Sequence, residues 1–317
     1  MPIAEVETIW MNGELVPWHE AKVHVLSHAL HYGSGVFEGI RAYETSRGPA
    51  VWHLEAHLGR MYDSAAIYHM EIPYSKEQLV QATKDVIRAN DLPACYIRPI
   101  AFRGYGEIGV NPLANPVDVS IAVWPWGAYL GEEALEQGVR VKVSSWKRHD
   151  QNSLPSSAKA TGGYLVSILA KIDSLKSGYD EAVLLNHEGH VGEGSGENLF
   201  VVKDGDLFTP PTSDGCLEGT TRNSVMTMAR DLGYAVHERS LVRTDLYLAD
   251  EVFFTGTAAE ITPIRSVDRH EVGAGSRGPV TAALQKAFFD VIECNASDEH
   301  GWLTFVPALT GAVQGAR

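Results

Sequence analysis

The chain has 317 residues, 44% apolar and 21% charged, an ordinary globular composition that excludes a fully disordered chain. Acidic residues (40) outnumber basic ones (26), and the formal charge of −14 is a poor match for nonspecific binding to a phosphate backbone. Cys95, Cys216 and Cys294 are odd in number and form no C-x-x-C pair, against a disulfide framework or a cysteine-rich zinc site.

The first residues are acidic and lack the apolar core of a signal peptide, and no run reaches the ~18 apolar residues of a membrane helix. A soluble, cytoplasmic protein without nucleic-acid or membrane partners is expected. At about 150 residues per domain, the length favours two domains.

Ile9–Met11 and Glu14–Val16 flank Asn12-Gly13, a signal for a tight hairpin. Val36–Tyr43 and Ala50–His53 flank Gly48-Pro49 and read as a second hairpin. Leu54, Leu58, Met61, Ala65 and Tyr68 recur at helical spacing. Ser75 with Gln78 forms a capping box ahead of another helix. Strands are predicted over 95–102 and 117–123. The stretch from Pro125 to Gly131 breaks the pattern and marks an interdomain connection.

Beyond it, strands are predicted at 139–145, 181–185, 199–202 and 252–255, and helices at 161–176, 223–232 and 279–292. This alternation points to a larger α/β domain with its site in loops. The tail over 307–317 reads as frayed. The expected division is 1–126 as a small domain, 127–137 as an interdomain loop and 138–317 as a large domain.

Lys159 sits among small residues, Ser156-Ser157-Ala158-Lys159-Ala160-Thr161-Gly162-Gly163-Tyr164. Desolvation favours a neutral amine, the form that attacks a carbonyl carbon. The residues fit an exposed loop lysine equally well. Glu193 lies in Gly192-Glu193-Gly194-Ser195-Gly196-Glu197, whose glycine spacing and following strand do not fit a dinucleotide fingerprint. A buried carboxylate there would keep a pyridine nitrogen protonated; a plain turn glutamate is the alternative.

Cys216-Leu217-Glu218-Gly219-Thr220-Thr221 opens a helix whose first N–H groups attract anions, with Thr221 otherwise a simple N-cap. Thr255-Gly256-Thr257-Ala258-Ala259 ends a strand in a small-residue turn suited to carboxylate or phosphate. Arg41, Arg60 and Arg98 are candidate anion binders. Tyr96 and Arg98 share one face of a predicted strand, while a surface salt bridge would equally explain Arg60. His24, His28 and His31 have metal-like spacing but no neighbouring carboxylate, so structural roles are expected and no metal.

Taken in order, these stretches, with Val23–Gly33, Phe37-Glu38-Gly39-Ile40-Arg41, Tyr96-Ile97-Arg98-Pro99, Gly109-Val110-Asn111-Pro112 and Thr257–Pro263, resemble the fold-type IV pyridoxal-phosphate transaminases. Within them the likeness is to the branched-chain amino acid group, and it runs over nearly the whole chain. The resemblance implies a D-amino acid aminotransferase-like fold, combining α/β and α+β. A smaller N-terminal α+β domain would precede a larger C-terminal mixed-sheet, pseudo-barrel domain.

It implies pyridoxal 5'-phosphate as cofactor and ping-pong exchange between branched-chain L-amino acids and 2-oxoglutarate or glutamate, in branched-chain amino acid biosynthesis. Lys159 would bond to the cofactor and shuttle the substrate proton. Glu193 would pair with the pyridine nitrogen and Tyr164 with the phenolic oxygen. Arg60, Thr220, Thr221 and Thr257 would hold the phosphate, with Leu217 and Gly256 also at the cofactor.

Tyr96, Thr257, Ala258 and Ala259 would take the substrate α-carboxylate, with Arg41 nearby. Tyr32, Phe37, Val110, Trp126, Tyr129 and Tyr164 would wall the side-chain pocket, and Arg98 would meet a γ-carboxylate. Val110 would come from a partner, so the resemblance implies at least a homodimer with shared sites, with a trimer of dimers as the larger option. Glu218 and the 103–107 segment depart from the family pattern. The same fold also carries D-amino acid and (R)-amine transaminases and aminodeoxychorismate lyases. Outside it, a metal-dependent hydrolase and a cofactor-free binding protein are the rival classes.

Overall fold

A computed structural model describes residues 3–127, 130–131 and 133–307. The chain forms two compact units. One comprises the chain up to Trp126 together with the segment from Asp290 on, and the other comprises Gly127–Phe289.

The first unit is an antiparallel sheet with helices on it. β1 (Thr8–Met11) and β2 (Glu14–Pro17) form the expected hairpin, with positive φ at Asn12 (48°) and Gly13 (100°), the backbone a tight primed turn demands. After the short α1 (His28–Tyr32) come β3 (Gly35–Phe37), β4 (Ile40–Tyr43) and β5 (Ala50–Trp52). Then follow α2 (Leu54–Ile67), α3 (Lys76–Ala89), β6 (Cys95–Arg103) and β7 (Val117–Trp124).

Across the sheet the order is the strand Leu303–Phe305, β5, β4, β6, β7, β1, β2, with β3 also paired to β6. Buried Leu54, Leu58, Met61 and Ala65 of α2 form one apolar stripe that packs with Leu79, Val86 and Ile87 of α3 and with Ile40, Ile97, Ile121 and Val123 of the sheet. The Ser75–Gln78 capping box is made in both directions.

The single strand expected over 36–43 is broken at Glu38-Gly39. Glu38 turns its carboxylate to Arg60 and His57, and Gly39 lies under the Tyr96 hydroxyl, 2.1 Å from where a Cβ would sit. A side chain at 39 would collide with that hydroxyl, so glycine is required there.

The second unit is a nine-stranded mixed sheet. Its first elements are α4 (Ala134–Gln137), β8 (Val139–Lys147), α5 (Tyr164–Lys176), β9 (Glu181–Leu185) and β10 (Val191–Gly194). β11 (Asn198–Lys203), β12 (Asp206–Thr209), α6 (Thr220–Asp231) and β13 (Val236–Glu238) follow. The last are α7 (Arg243–Tyr247), β14 (Glu251–Gly256), β15 (Glu260–Val267), β16 (His270–Glu271) and α8 (Pro279–Ile292).

The order is β10-β9-β8-β15-β14-β11-β12-β13, with β16 on β15; β8 runs parallel to both neighbours and β12 to β13. Val141, Val183, Leu199, Phe254 and Ile264 lie in its core.

Three sequence expectations need correction here. Part of the expected 127–137 loop is helical, at Ala134–Gln137. The chain does not stay in the second unit to its end, because Leu303–Phe305 pairs with β5 of the first sheet. β15 was not among the predicted strands, and it carries Pro263, a residue unusual in a central strand. Pairing with β8 begins only at Ile264↔Val139, one residue after the proline, so the missing N–H falls before the ladder starts. The expected tail from 308 onward lies outside the described residues.

Leu58 is fully buried. Leu58→Ala should lower stability by ~2–5 kcal/mol through lost burial and a residual cavity, read as a shift in the urea midpoint of the unfolding curve. A shift under ~1 kcal/mol would mean that the helices close over the gap.

Candidate active site

In the second unit, Lys159 lies in the loop between β8 and α5. Its Nζ donates to the Tyr164 hydroxyl at 2.7 Å. Tyr164 opens α5, so the helix start fixes the phenol. Ala158 and Ala160 on either side of the lysine are buried. Gln151 clasps the loop, donating to Ser156 Oγ at 2.6 Å and to the Thr212 carbonyl at 3.3 Å.

Glu193 lies on β10, not in the loop expected from its glycines. A bulge between Val191 and Glu193 shifts the register against β9 and re-aims the side chain. The buried carboxylate is bonded at both oxygens, Oε1 by Arg148 Nη2 at 2.9 Å and Oε2 by the Leu217 N–H at 2.9 Å. Arg148 also donates through Nε to the Gly215 carbonyl at 3.0 Å. A Cβ at Gly192 would lie 3.0 Å from Arg148 Cγ, so the glycine makes room for the arginine stem. Arg148 was missed from the sequence, where its only signal is one more basic residue at a strand end.

α6 begins at Thr220 and its N-cap is Gly219, with no side-chain cap. Thr221 is therefore inside the first turn and is not the cap. Asn198 braces this entry by donating to the Leu217 carbonyl at 2.8 Å, and its Oδ1 lies 1.9 Å from where a Cβ on Gly219 would be. Glu218 faces outward, exposed, accepting from Asn223 at 3.1 Å. Thr257, Ala258 and Ala259 form the tight connection between β14 and β15, just beyond the paired Gly256 and Glu260. Beside it, Thr255 Oγ1 is buried without a hydrogen-bond partner among the described residues.

In the first unit, register places Arg41 and Trp124 on either side of Tyr96, and directly paired residues share a face. Tyr96 also packs against Trp126 with ring centroids 5.1 Å apart. Arg98 donates to the Tyr96 hydroxyl at 3.1 Å and lies 4.9 Å from the Phe37 ring centroid. Tyr96, Arg98, Phe37, Arg41 and Trp126 thus form one aromatic and cationic cluster.

Arg60 is not the surface pair that the sequence allowed: Nε and Nη2 grip the fully buried Glu38 at 2.8 and 2.7 Å. Tyr32 is exposed and stacked on His28, and Val110 is 89% exposed. The 103–107 segment is tied down by Arg103, which donates to the carbonyls of Asn115 and His69. Tyr129 lies outside the described residues.

Each of the three histidines has its own partners. His28 bonds Ser34 Oγ and the Gly109 carbonyl, His24 accepts the Leu26 N–H, and His31 bonds the Val25 carbonyl. Among the described residues no group of three or more His, Cys, Asp or Glu could hold a metal.

The second-unit donor set suits a planar heteroaromatic cofactor bearing a phosphate. It offers an amine beside a phenol, a braced carboxylate, a helix start that no side chain caps and an unpartnered buried hydroxyl.

Glu197 lies close by. Burial, with the charges of Glu181 and Glu193, pushes it up to about 8, against the opposing Gly196 N–H and Lys171. The fold holds a proton that the unfolded chain releases near 4.5. Stability from this group therefore falls as pH rises from about 5 to about 8 and levels off above. Glu197→Gln should flatten that part of the melting-temperature profile; an unchanged slope would assign it to other groups.

The class IV aminotransferase family model matches residues 35–267. The branched-chain-amino-acid aminotransferase of Escherichia coli K12 is 51% identical over 304 residues, covering 96% of this chain and 98% of that protein. The Pseudomonas aeruginosa enzyme of the same name is 49% identical over 298 residues, covering 94% and 97%. The crystal structure of the E. coli enzyme superposes with a TM-score of 0.94 at 51% identity, covering 95% of this chain and all of that one. A T.th. branched-chain amino acid aminotransferase complexed with N-(5'-phosphopyridoxyl)-L-glutamate gives a TM-score of 0.91 at 48% identity, covering 95% and 99%. With a family model spanning most of its length and such relatives beside it, the chain belongs to the class IV aminotransferases, the fold-type IV family.

Proposed function

We propose that the chain is a pyridoxal-phosphate-dependent transaminase that moves amino groups between leucine, isoleucine or valine and 2-oxoglutarate or glutamate. The observation that carries this reading is the Lys159 amine bonded to the Tyr164 phenol in a unit that also braces Glu193 at both oxygens. About 50% identity over nearly the full length to branched-chain aminotransferases supports the substrate class.

When bound, pyridoxal phosphate supplies an electron sink for the charge left as the substrate Cα loses its proton. Lys159 takes that proton and returns it on the far side of the transfer. Tyr164 aligns the amine and serves the phenolic oxygen. Glu193 keeps the pyridine nitrogen protonated, and Arg148 and the Leu217 N–H hold its carboxylate still. The α6 N–H groups of Thr220 and Thr221, with Arg60, Gly256 and Thr257, take the phosphate. The positive end of a helix favours such a charge.

On the substrate side, Tyr96 with Thr257, Ala258 and Ala259 receives the α-carboxylate, and Arg41 lies beside Tyr96. Phe37, Trp126 and Tyr32 wall the pocket, where burying an isobutyl group gains roughly 1.5–3 kcal/mol. A γ-carboxylate in the same place needs a cation. Arg98 supplies it, with its guanidinium fixed between Phe37 and Tyr96 and its buried Nε without a partner among the described residues.

The working form is at least a homodimer, and Val110 serves the partner's site. The exposure of Val110 supports this, as does the apolar face that Leu165, Ile168, Leu169, Ile172 and Leu175 present on α5. The expected compartment is the cytoplasm, in keeping with three unpaired cysteines and no described helix long and apolar enough to cross a membrane.

The visible absorption of the purified protein tests the reading. A cofactor band should bleach with L-leucine and L-glutamate and should vanish, along with nearly all turnover, in Lys159→Ala. Bleaching only by D-alanine or (R)-1-phenylethylamine would move the chain to another branch of the fold, and a normally active Lys159→Ala would overturn the chemistry. Arg98→Ala should cut kcat/KM for glutamate and 2-oxoglutarate on the order of 10–100-fold more than for leucine, the scale of a lost charged hydrogen bond. Equal losses would remove Arg98 from that role.

A further inference from the structure

We propose that His28 is a positioning residue for the substrate side chain: its imidazole holds Tyr32 and the tip of the 104–113 loop, with Val110, as one wall. This role rests on the assignment of Tyr32 and Val110 to the side-chain pocket and adds the device that fixes them.

All of its parts lie in the first unit. His28 opens α1 and is 2% exposed. Its Nε2 bonds the Gly109 carbonyl at 2.7 Å, and its Nδ1 bonds Ser34 Oγ at 2.7 Å. A carbonyl only accepts, so that partner requires a proton on Nε2, while a hydroxyl turns to suit Nδ1. The Tyr32 ring stacks on the imidazole from one helical turn along, with centroids 4.5 Å and planes 27° apart.

The 24–34 and 104–113 segments also meet elsewhere. The His28 N–H donates to the Gly104 carbonyl at 3.1 Å, Ser27 and Tyr105 form an antiparallel bridge, and the His24 and Tyr105 ring centroids are 4.4 Å apart. Asn115 holds the near end of the loop by donating to the carbonyls of Gly104 and Glu107 at 3.2 and 3.0 Å. The imidazole reaches further along it, to Gly109, next to Val110.

The side chains held in this way are not fixed by burial. Val110 is 89% exposed and Tyr32 47%, so their positions depend on the backbone and on the ring beneath them. Gly109 has φ 154°, where side-chain-bearing residues are rare, and a Cβ there would meet nothing within 4 Å. Glycine at 109 therefore serves the direction of the loop tip and not a close approach.

A buried histidine that merely packs would, when lost, weaken every substrate together. One that positions a wall weakens the substrates whose side chains touch that wall. His28 is of the second kind, because both ring nitrogens and a ring face go to the 24–34 and 104–113 segments, and directional bonds fix angles that packing alone leaves free.

The test is single-turnover bleaching of the cofactor band of the holoenzyme by L-leucine and by L-alanine, with melting temperature as the folding control. Alanine is too short to reach a pocket wall, so the leucine-to-alanine ratio of second-order rate constants reads the wall. His28→Phe keeps a ring for Tyr32 and loses both hydrogen bonds. It should lower the ratio about three- to tenfold, the scale of one neutral hydrogen bond, chiefly by raising the leucine concentration at half-maximal rate. His28→Gln keeps a donor for the Gly109 carbonyl and loses the ring, and it should lower the ratio less. Gly109→Ala strains the loop tip without touching the histidine and should lower it too.

Val110→Ala should lower the ratio by itself, and adding it to His28→Phe should cost little more, because both remove the same contact. Equal losses for leucine and alanine in the His28 variants would make the residue structural and overturn the proposal, as would full additivity in the double variant. Unchanged ratios in both Val110→Ala and Tyr32→Ala would refute the pocket assignment itself. Lowered ratios in those two beside unchanged ones in the His28 and Gly109 variants would refute only the positioning. A holoenzyme that neither amino acid bleaches would refute the transaminase reading. If His28→Phe does not fold, His28→Gln and Gly109→Ala carry the same decision.

Discussion

A carboxylate taken out of water must have both oxygens bonded, and at Glu193 the two partners come from segments distant in sequence. Arg148 leads directly into the loop that carries Lys159. Leu217 leads directly into the start of α6 at Thr220 and Thr221. One buried negative charge therefore ties the loop that carries Lys159 to the start of α6. Gln151 repeats the arrangement on a smaller scale by joining two loops, and Asn198 does so by joining the start of β11 to the turn before α6. The second unit spends its polar side chains on joining loops, while its apolar ones fill the space beneath the sheet.

The first unit solves a similar problem with different chemistry. Glu38 is buried under α2, and its partners are one turn apart on that helix. On the other side of the same break, Gly39 surrenders its side-chain volume to the Tyr96 hydroxyl. A four-residue stretch, Phe37 to Ile40, thus contributes a ring for the Arg98 guanidinium, a buried anion, a clearance and a core residue. Its irregular backbone follows from these conflicting demands, which a single continuous strand could not meet with side chains alternating between two faces.

Elements decided by neighbours in sequence were legible before the fold was seen. The Asn12-Gly13 hairpin, the Ser75 capping box and the α2 stripe each depend on residues a few positions apart. At Lys159 the neighbouring small residues left a reactive amine and an exposed loop lysine both open, and only the family resemblance singled it out. What depended on distant partners was hidden. β10 reads as a glycine loop because only β9 makes it a strand. β15 contains a proline that is tolerated only where β8 has yet to begin pairing. Arg148 carries no motif, since its role is defined by a carboxylate 45 positions later. The return of the chain to β5 is a pairing across most of the sequence and leaves no periodic trace.

That return has a consequence for how the protein is made on the ribosome. The first unit needs Leu303–Phe305 against β5, and Val306 in its core, to be complete. Chains emerge at about 5–20 residues per second, so after Trp126 leaves the ribosome, roughly 10–35 s pass before that strand arrives. During that interval β5 is an unpaired sheet edge, the feature most open to pairing with another chain. The unit that is translated first is thus finished last, and nascent chains crowded on one message have a built-in opportunity to meet.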